Sequence, residues 1–155
     1  MSLDTVERVN AYFKSAITDT YNYYTNFDNE NTDLPESNVG PQIRLFVEIG
    51  TDEQFNDGVE YVEDGTIIAQ IMVEHGKNQT QLHLIATQIR DAFRGPKGGL
   101  QLEPTVGQDG VLVFESIENI ARGEISRSAS RRAKNQSTRQ WKRLDVMISY
   151  TKYCS

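Results

Sequence analysis

Cysteine, histidine and long apolar runs are what this sequence has least of. Its one cysteine, Cys154, stands one residue from the C-terminus, too solitary to staple a core by disulfide or to hold a tetrahedral metal alone. The chain therefore suits a reducing compartment. Its two histidines, His75 and His83, sit in no ligand or triad spacing, and the GxSxG, SxxK, HExxH and GxxxxGK[ST] patterns are all missing. A metal nuclease needs strand carboxylates followed by an acid-x-Lys step, and Glu74-His75-Gly76-Lys77 is one residue too long for it. The acids of residues 28–41 lack the glycine and terminal glutamate of an EF-hand loop. No catalytic residue, metal or cofactor is expected. No apolar run approaches the ~20 residues of a membrane helix, and Met1-Ser2-Leu3-Asp4-Thr5 has neither the basic nor the apolar region of a signal peptide. Neither export nor a membrane partner is expected.

What is present is a 155-residue chain with 37% hydrophobic and 25% charged residues, enough for one domain over 1–155 with a single core. The net charge of −6 conceals a division. From Arg122 to the end, nine Lys/Arg stand against two Asp/Glu, a net of +7; residues 1–121 hold seven against twenty, a net of −13. Such asymmetry marks a basic arm on an acidic body, or a solvated loop that happens to be basic.

The stretch 65–95 organises the rest. Ile67, Ala69, Ile71 and Val73 alternate with Gln70 and Glu74, the period of a half-buried strand. Asn78 and Gln81 then offer a weak capping box for a helix over 78–94, whose apolar stripe is Leu82, Ile85, Ile89, Ala92 and Phe93. Gly95 and Pro96 end it. That stripe must pack on the strand's apolar face.

An earlier helix over 3–23 carries Val6, Val9, Phe13, Ile17 and Tyr21 at spacings of 3, 4, 4 and 4, with Asp4 and Glu7 as its capping box; residues 1–24 form this N-terminal element. Tyr23, Tyr24 and Phe27 prolong its aromatic edge as core or subunit-contact residues, and 28–41 reads as a linker. Ile43, Leu45, Val47 and Ile49 make a strand ended by Gly50, followed by an acidic excursion closed at Asp64-Gly65, a hairpin dipeptide. Residues 96–99 form a loop. Residues 100–102 and 111–114 make a further hairpin, 115–125 continue extended, and 141–150 form the last strand with Leu144, Val146, Ile148 and Tyr150 on its apolar row. The fold expected is α+β: a mostly antiparallel sheet with helices packed on one face and a long basic loop or arm, 126–140, before the last strand.

This series, with Ala92-Phe93-Arg94-Gly95 closing the central helix, Arg122-Gly123-Glu124 within an extended 117–124, and a last strand running from Trp141 to Tyr150, resembles the tail terminator family of long-tailed bacteriophages. The resemblance covers about residues 40–153. An acidic 51–64 insertion, the 100–110 hairpin and the arginine loop depart from the family's short pattern. What the resemblance implies is a structural virion protein: a homo-oligomeric ring, usually of six copies, that caps the tail tube, ends its polymerisation, and meets both the tail tube protein and the head completion or connector protein. The place implied is the tail or neck of the virion, reached from the host cytoplasm. The alternatives are another head-tail connector position, or a DNA-contacting packaging or nuclease-like factor.

Arg127, Arg131, Arg132, Lys134 and Arg139, with Trp141 and Lys142 just beyond, are the candidate interface. Five cations among serines with no bulky apolar group cannot fold alone and take their order from a partner. That partner is an acidic surface of a neighbouring subunit or tube protein, or DNA phosphate in the ring's channel; the acid-rich body favours the first.

Overall fold

The computed structural model describes residues 2–27, 41–55, 60–74, 80–95, 100–127 and 139–154, of which 2–3, 51–55, 60–61, 74, 121–127 and 139–141 by backbone alone. The chain opens with a helical rod in three pieces: α1 (Ser2–Phe13), a π-helical turn (Lys14–Thr18) and α2 (Asp19–Tyr21). Strands β1 (Tyr24–Phe27), β2 (Gln42–Phe55) and β3 (Glu60–Glu74) precede α3 (Thr80–Arg94), and β4 (Gln101–Leu102), β5 (Val111–Arg127) and β6 (Arg139–Cys154) follow it. The strands make one mixed sheet in the order β1-β2-β3-β6-β5-β4, in which only β1 and β2 are parallel. The fold is α+β, as the sequence pattern implies.

Strand alternation aligns the core into rows. Ile43 faces Ile71, which faces Leu144; Leu45, Ala69 and Val146 make a second row, and Val47, Ile67 and Ile148 a third. All nine are buried. Leu82, Ile85, Ala86, Ile89 and Phe93 of α3 close over these rows, joined by Val9, Phe13 and Ile17 of the N-terminal rod. Helices of both kinds thus share one face of the sheet. The α3 stripe follows the expected one with Ala86 added, while Ala92 is half-buried at its margin.

The π turn has a sequence cause. A stripe repeating every four residues overruns the 3.6-residue turn of an α-helix, so Val9, Phe13 and Ile17 would drift off one line. The wider turn over Lys14–Thr18 absorbs the drift and keeps both Phe13 and Ile17 fully buried. The rod ends at Asn22, whose φ of 58° is the left-handed conformation that asparagine tolerates. Tyr21, expected on the stripe, is 42% exposed. It stacks on Tyr23, with ring centroids 5.8 Å apart, instead of entering the core.

Several expected boundaries differ. Tyr24 and Phe27 belong to a strand, and the residues between Phe27 and Gln42 supply the dozen or so that a parallel connection requires. Gly50 does not end β2: the strand passes a register irregularity between Ile49 and Asp52 and runs to Phe55. Asp64-Gly65 is mid-strand, with Gly65 paired to Ile49 on one side and to Tyr150 on the other. Residues 56–59, between β2 and β3, lie outside the described residues, as do the expected cap at Asn78, residues 28–40 of the expected linker, the expected loop 96–99 and His75. His83 is exposed. Asp4 is not the first half of a capping box, since α1 begins at Ser2 and the Asp4 carboxylate bonds to Lys152. Cys154 is buried at the end of β6, where a side chain on Gly110 would meet its sulfur.

Gly65 is glycine for room. A Cβ built there would lie 2.3 Å from the Glu48 carbonyl oxygen and 2.7 Å from the Tyr150 hydroxyl. The missing side chain lets the Tyr150 ring cross the strand, an aromatic covering a cross-strand glycine. Gly65→Ala is expected to cost about 1–3 kcal/mol by overpacking, read as a lowered denaturation midpoint. Gly95, by contrast, does adopt positive φ, 65°, just past α3. That is the C′ role its position predicts.

Candidate interaction surface

The register places the candidate interface at one end of the sheet. Arg127 and Arg139 form the last rung of the β5–β6 ladder, Trp141 lies between Glu74 and Ile125, and Lys142 between Val73 and Glu124. Lys142 is half-buried. The segment expected as a loop over 126–140 is therefore strand at both ends: Ser126 pairs with Gln140 one rung in from Arg127 and Arg139. Arg131, Arg132 and Lys134 lie outside the described residues. The structure thus brings Arg127, Arg139, Trp141 and Lys142 to one place on adjoining strands, with the remaining cations in the connection between them.

The opposite end of the same sheet is acidic. Asp52 and Glu53 pair with Glu63 and Val62, and β3 runs back from Glu60 through Glu63 and Asp64 beside Cys154, Lys152 and Thr151. Residues 51–64 carry six acids and no cation; residues 126–140 carry five cations and no acid. The sixteen-residue run of β6 from Arg139 to Cys154 separates the two ends. At the rise of a strand that is roughly 50 Å, several times the roughly 8 Å over which salt at physiological strength screens charge. Each end acts on its surroundings by itself.

Sequence reasoning missed a buried polar cluster at the acidic end, where α1 meets β3 and β6. Thr5, Glu63 and Lys152 are each 0% exposed. Thr5 Oγ1 donates to Glu63 Oε2 at 2.7 Å, and the Tyr150 hydroxyl approaches the same oxygen at 3.4 Å. Lys152 Nζ donates to Asp4 Oδ2 and Thr5 Oγ1, both at 3.3 Å. Arg8 adds a 3.6 Å ion pair to Asp4 and two 2.8 Å hydrogen bonds, to the carbonyls of Asp109 and Leu102. Buried ions are stable only when partnered in this way. The cluster presents no surface to a substrate; it fastens α1 to the sheet. Strand parity was the available signal, because Lys152 continues the inward row of Val146, Ile148 and Tyr150, and Glu63 continues that of Ile67 and Gly65.

Burial, then the neighbouring Glu63 carboxylate, raises the pKa of Tyr150 far above that of an ordinary phenol. The hydroxyl stays neutral in the fold while the unfolded chain ionises near pH 10. The folded form then holds a proton that the unfolded form has lost, so the contribution is complete below pH 10 and declines as pH rises above it. Tyr150→Phe should flatten that alkaline loss, measured as melting temperature from pH 8 to 11. An unchanged slope would assign the loss elsewhere.

The face away from the helices carries a second pair. Arg143 Nε and Nη2 donate to the two carboxylate oxygens of Asp145, both at 2.8 Å, in a bidentate fork along one strand. That hydrogen bond raises the Arg143 pKa further, and Asp145 is 1% exposed. Among the described residues, no group of three or more His, Cys, Asp or Glu could hold a metal ion, and no helix is long and apolar enough to cross a membrane.

No family model and no curated protein matches the sequence. The fold does have a counterpart. One solved protein structure aligns with 93% of this chain and 92% of its own length at a TM-score of 0.54, with 12% of residues identical. At that identity the likeness concerns the fold alone, a shared arrangement over nearly the whole of both chains.

Proposed function

We propose that this chain is the subunit of a tail-terminator ring, a structural protein that caps a phage tail tube, stops its growth and offers a surface to the head's connector. The observation that carries the proposal is the charge polarity of the sheet. A body with an acidic end and a basic end on one sheet favours head-to-tail contact, one surface meeting a different one, and such contacts close into rings when the rotation allows. The α+β architecture and the order of its elements agree with the family resemblance. In this reading the protein is not an enzyme and needs no cofactor, its place is the virion tail or neck, and the number six comes from the family.

Native mass spectrometry over a concentration series tests the assembly. The proposal expects monomer of 17.6 kDa and a closed ring, most simply of six copies. Raising the salt should shift the balance to monomer, because contact between charged ends is screened. A dimer that persists as a dimer at every concentration contradicts a head-to-tail ring.

A further inference from the structure

Four large hydrophobic side chains stand exposed among the described residues, and two of them, Val106 and Tyr153, lie at the acidic end of the sheet. Tyr153 follows the inward-facing Lys152 on β6, so strand alternation turns it to the face away from the helices. It is 51% exposed. Val62 of β3 stands directly opposite it on one side and Val111 of β5 on the other; two residues along the same face, Val113 stands opposite Thr151. All three valines are half-buried. Acids rim this apolar centre. Asp64, a diagonal neighbour of Tyr153 through its pairing with Thr151, is exposed, as are Glu103 and Asp109 in the connection from β4 to β5 at the same end. An apolar centre within a polar rim marks a protein contact, and tyrosine is a common anchor there. The surface is held from behind. Arg8 of α1 donates its 2.8 Å hydrogen bonds to the carbonyls of Leu102 and Asp109, one on each limb of that connection. Between the limbs the Gln108 amide donates to the Thr105 carbonyl at 2.9 Å, and the Thr105 amide to the Gln108 side-chain oxygen at 3.0 Å. These bonds close the turn whose tip carries the fully exposed Val106. A surface ordered before contact loses less freedom on binding.

We propose that this surface, centred on Tyr153, receives the basic end, residues 126–140, of a second copy of this chain. The inference rests on the ring reading and names its contact. Three features select this occupant. The rim is acidic, whereas residues 126–140 carry five cations and no acid. Four of those five are arginines, and a guanidinium lies flat on an aromatic ring while its N–H groups reach a carboxylate beside it. Tyr153 with Asp64 at its diagonal offers that pair of partners. The third feature is reach. The eleven residues 128–138 leave and rejoin the last β5–β6 rung, so they extend at most roughly 20 Å from it, against the roughly 50 Å between the two ends of the sheet. The arm therefore cannot serve the acidic end of its own chain, and its complement comes from another molecule. Each copy offers one surface and occupies a different one, which is heterologous contact. The ring and valines supply affinity, and the charges the choice of partner.

The test is complementation between full-length variants, read by native mass spectrometry with melting temperature as the control on folding. One variant carries serine at Arg127, Arg131, Arg132, Lys134 and Arg139. The other spoils the acidic end and is made twice, as Tyr153→Thr with Asp64→Lys and as Tyr153→Thr with Asp109→Lys, so that a fold defect in one leaves the other readable. Where the natural chain forms rings, each variant alone should stay monomeric. Mixed one to one, the two kinds should give a pair of twice 17.6 kDa and nothing larger, because one intact acidic end meets one intact arm and the spoiled surfaces are left over. Tyr153→Phe, which keeps the ring, should assemble as the natural chain does. Rings from the acidic-end variants, or a loss in Tyr153→Phe equal to theirs, would overturn the proposal and leave the ring reading standing. A mixture that stays monomeric would also overturn it, assigning the arm to another partner such as duplex DNA. Open chains of growing length from the natural protein, lost in each variant and cut to pairs in the mixture, would uphold the contact and contradict the ring. A natural chain that is monomeric at every concentration and on isolated tail tubes overturns both.

Discussion

Phe93→Ala should lower the stability of the folded chain by about 3–5 kcal/mol, the range for deleting a large aromatic from a packed core. The size of the effect follows from where the ring sits. Phe93 is fully buried in the last turn of α3, with its centroid 5.1 Å from that of Tyr12, 6.3 Å from Phe13 and 5.0 Å from Phe114. Two of those contacts are edge-on, the arrangement aromatic pairs prefer. One ring therefore joins α3 to the N-terminal rod and to β5. Tyr12 also donates a hydrogen bond to the Ala92 carbonyl, so the cavity cannot collapse without disturbing a second helix. Denaturant unfolding measures the change. A loss below about 0.5 kcal/mol, which is ordinary for a surface position, would show that the helical layer is not held as described.

The second large effect is functional. Replacing Arg127, Arg131, Arg132, Lys134 and Arg139 with serine should abolish ring closure or tail attachment while leaving the monomer's melting temperature nearly unchanged. The core formed by the described residues is built from other side chains. The substitutions remove every cation from residues 126–140. An acidic neighbour or DNA phosphate would answer the loss differently. Duplex DNA binding falls with salt at a slope near −0.9 per contacted phosphate, so a steep dependence in the natural chain that vanishes in the variant would assign the arm to nucleic acid. Retained rings, capped tails and infectious particles from the variant would reduce the arm to a solvated loop.

Periodicity carried the fold a long way. The rows through Ile67, Ala69, Ile71 and Val73 and through Leu144, Val146, Ile148 and Tyr150 are legible because β alternation needs only neighbouring residues, and the α3 stripe is legible for the same reason. Asp64-Gly65 misled because the dipeptide has two physical uses. It usually supplies positive φ in a turn, and here the glycine clears space for the Tyr150 ring, a demand from a residue 85 positions further along the chain. Gly50 misled for a related reason: it lies in the register irregularity between Ile49 and Asp52, and β2 resumes beyond it. The four-residue β1 was too short to stand out from the aromatic series Tyr23, Tyr24 and Phe27 that runs into it.

The candidate surface was legible only in part. Its charge could be counted, but the placement of Arg127 opposite Arg139, at the far end of the sheet from Asp52 and Glu53, depends on strand register. The cluster of Thr5, Glu63 and Lys152 joins residues from three distant places, and charged residues read as solvent-facing until the sheet gives them a parity. What remains is whether the polarised sheet works at the end of a tail tube. Purified chain added to isolated tubes and viewed by negative stain answers that most directly. The terminator account predicts a ring of density at one end of each tube and none along its length; uniform decoration along the tube, or no recruitment at all, would contradict it.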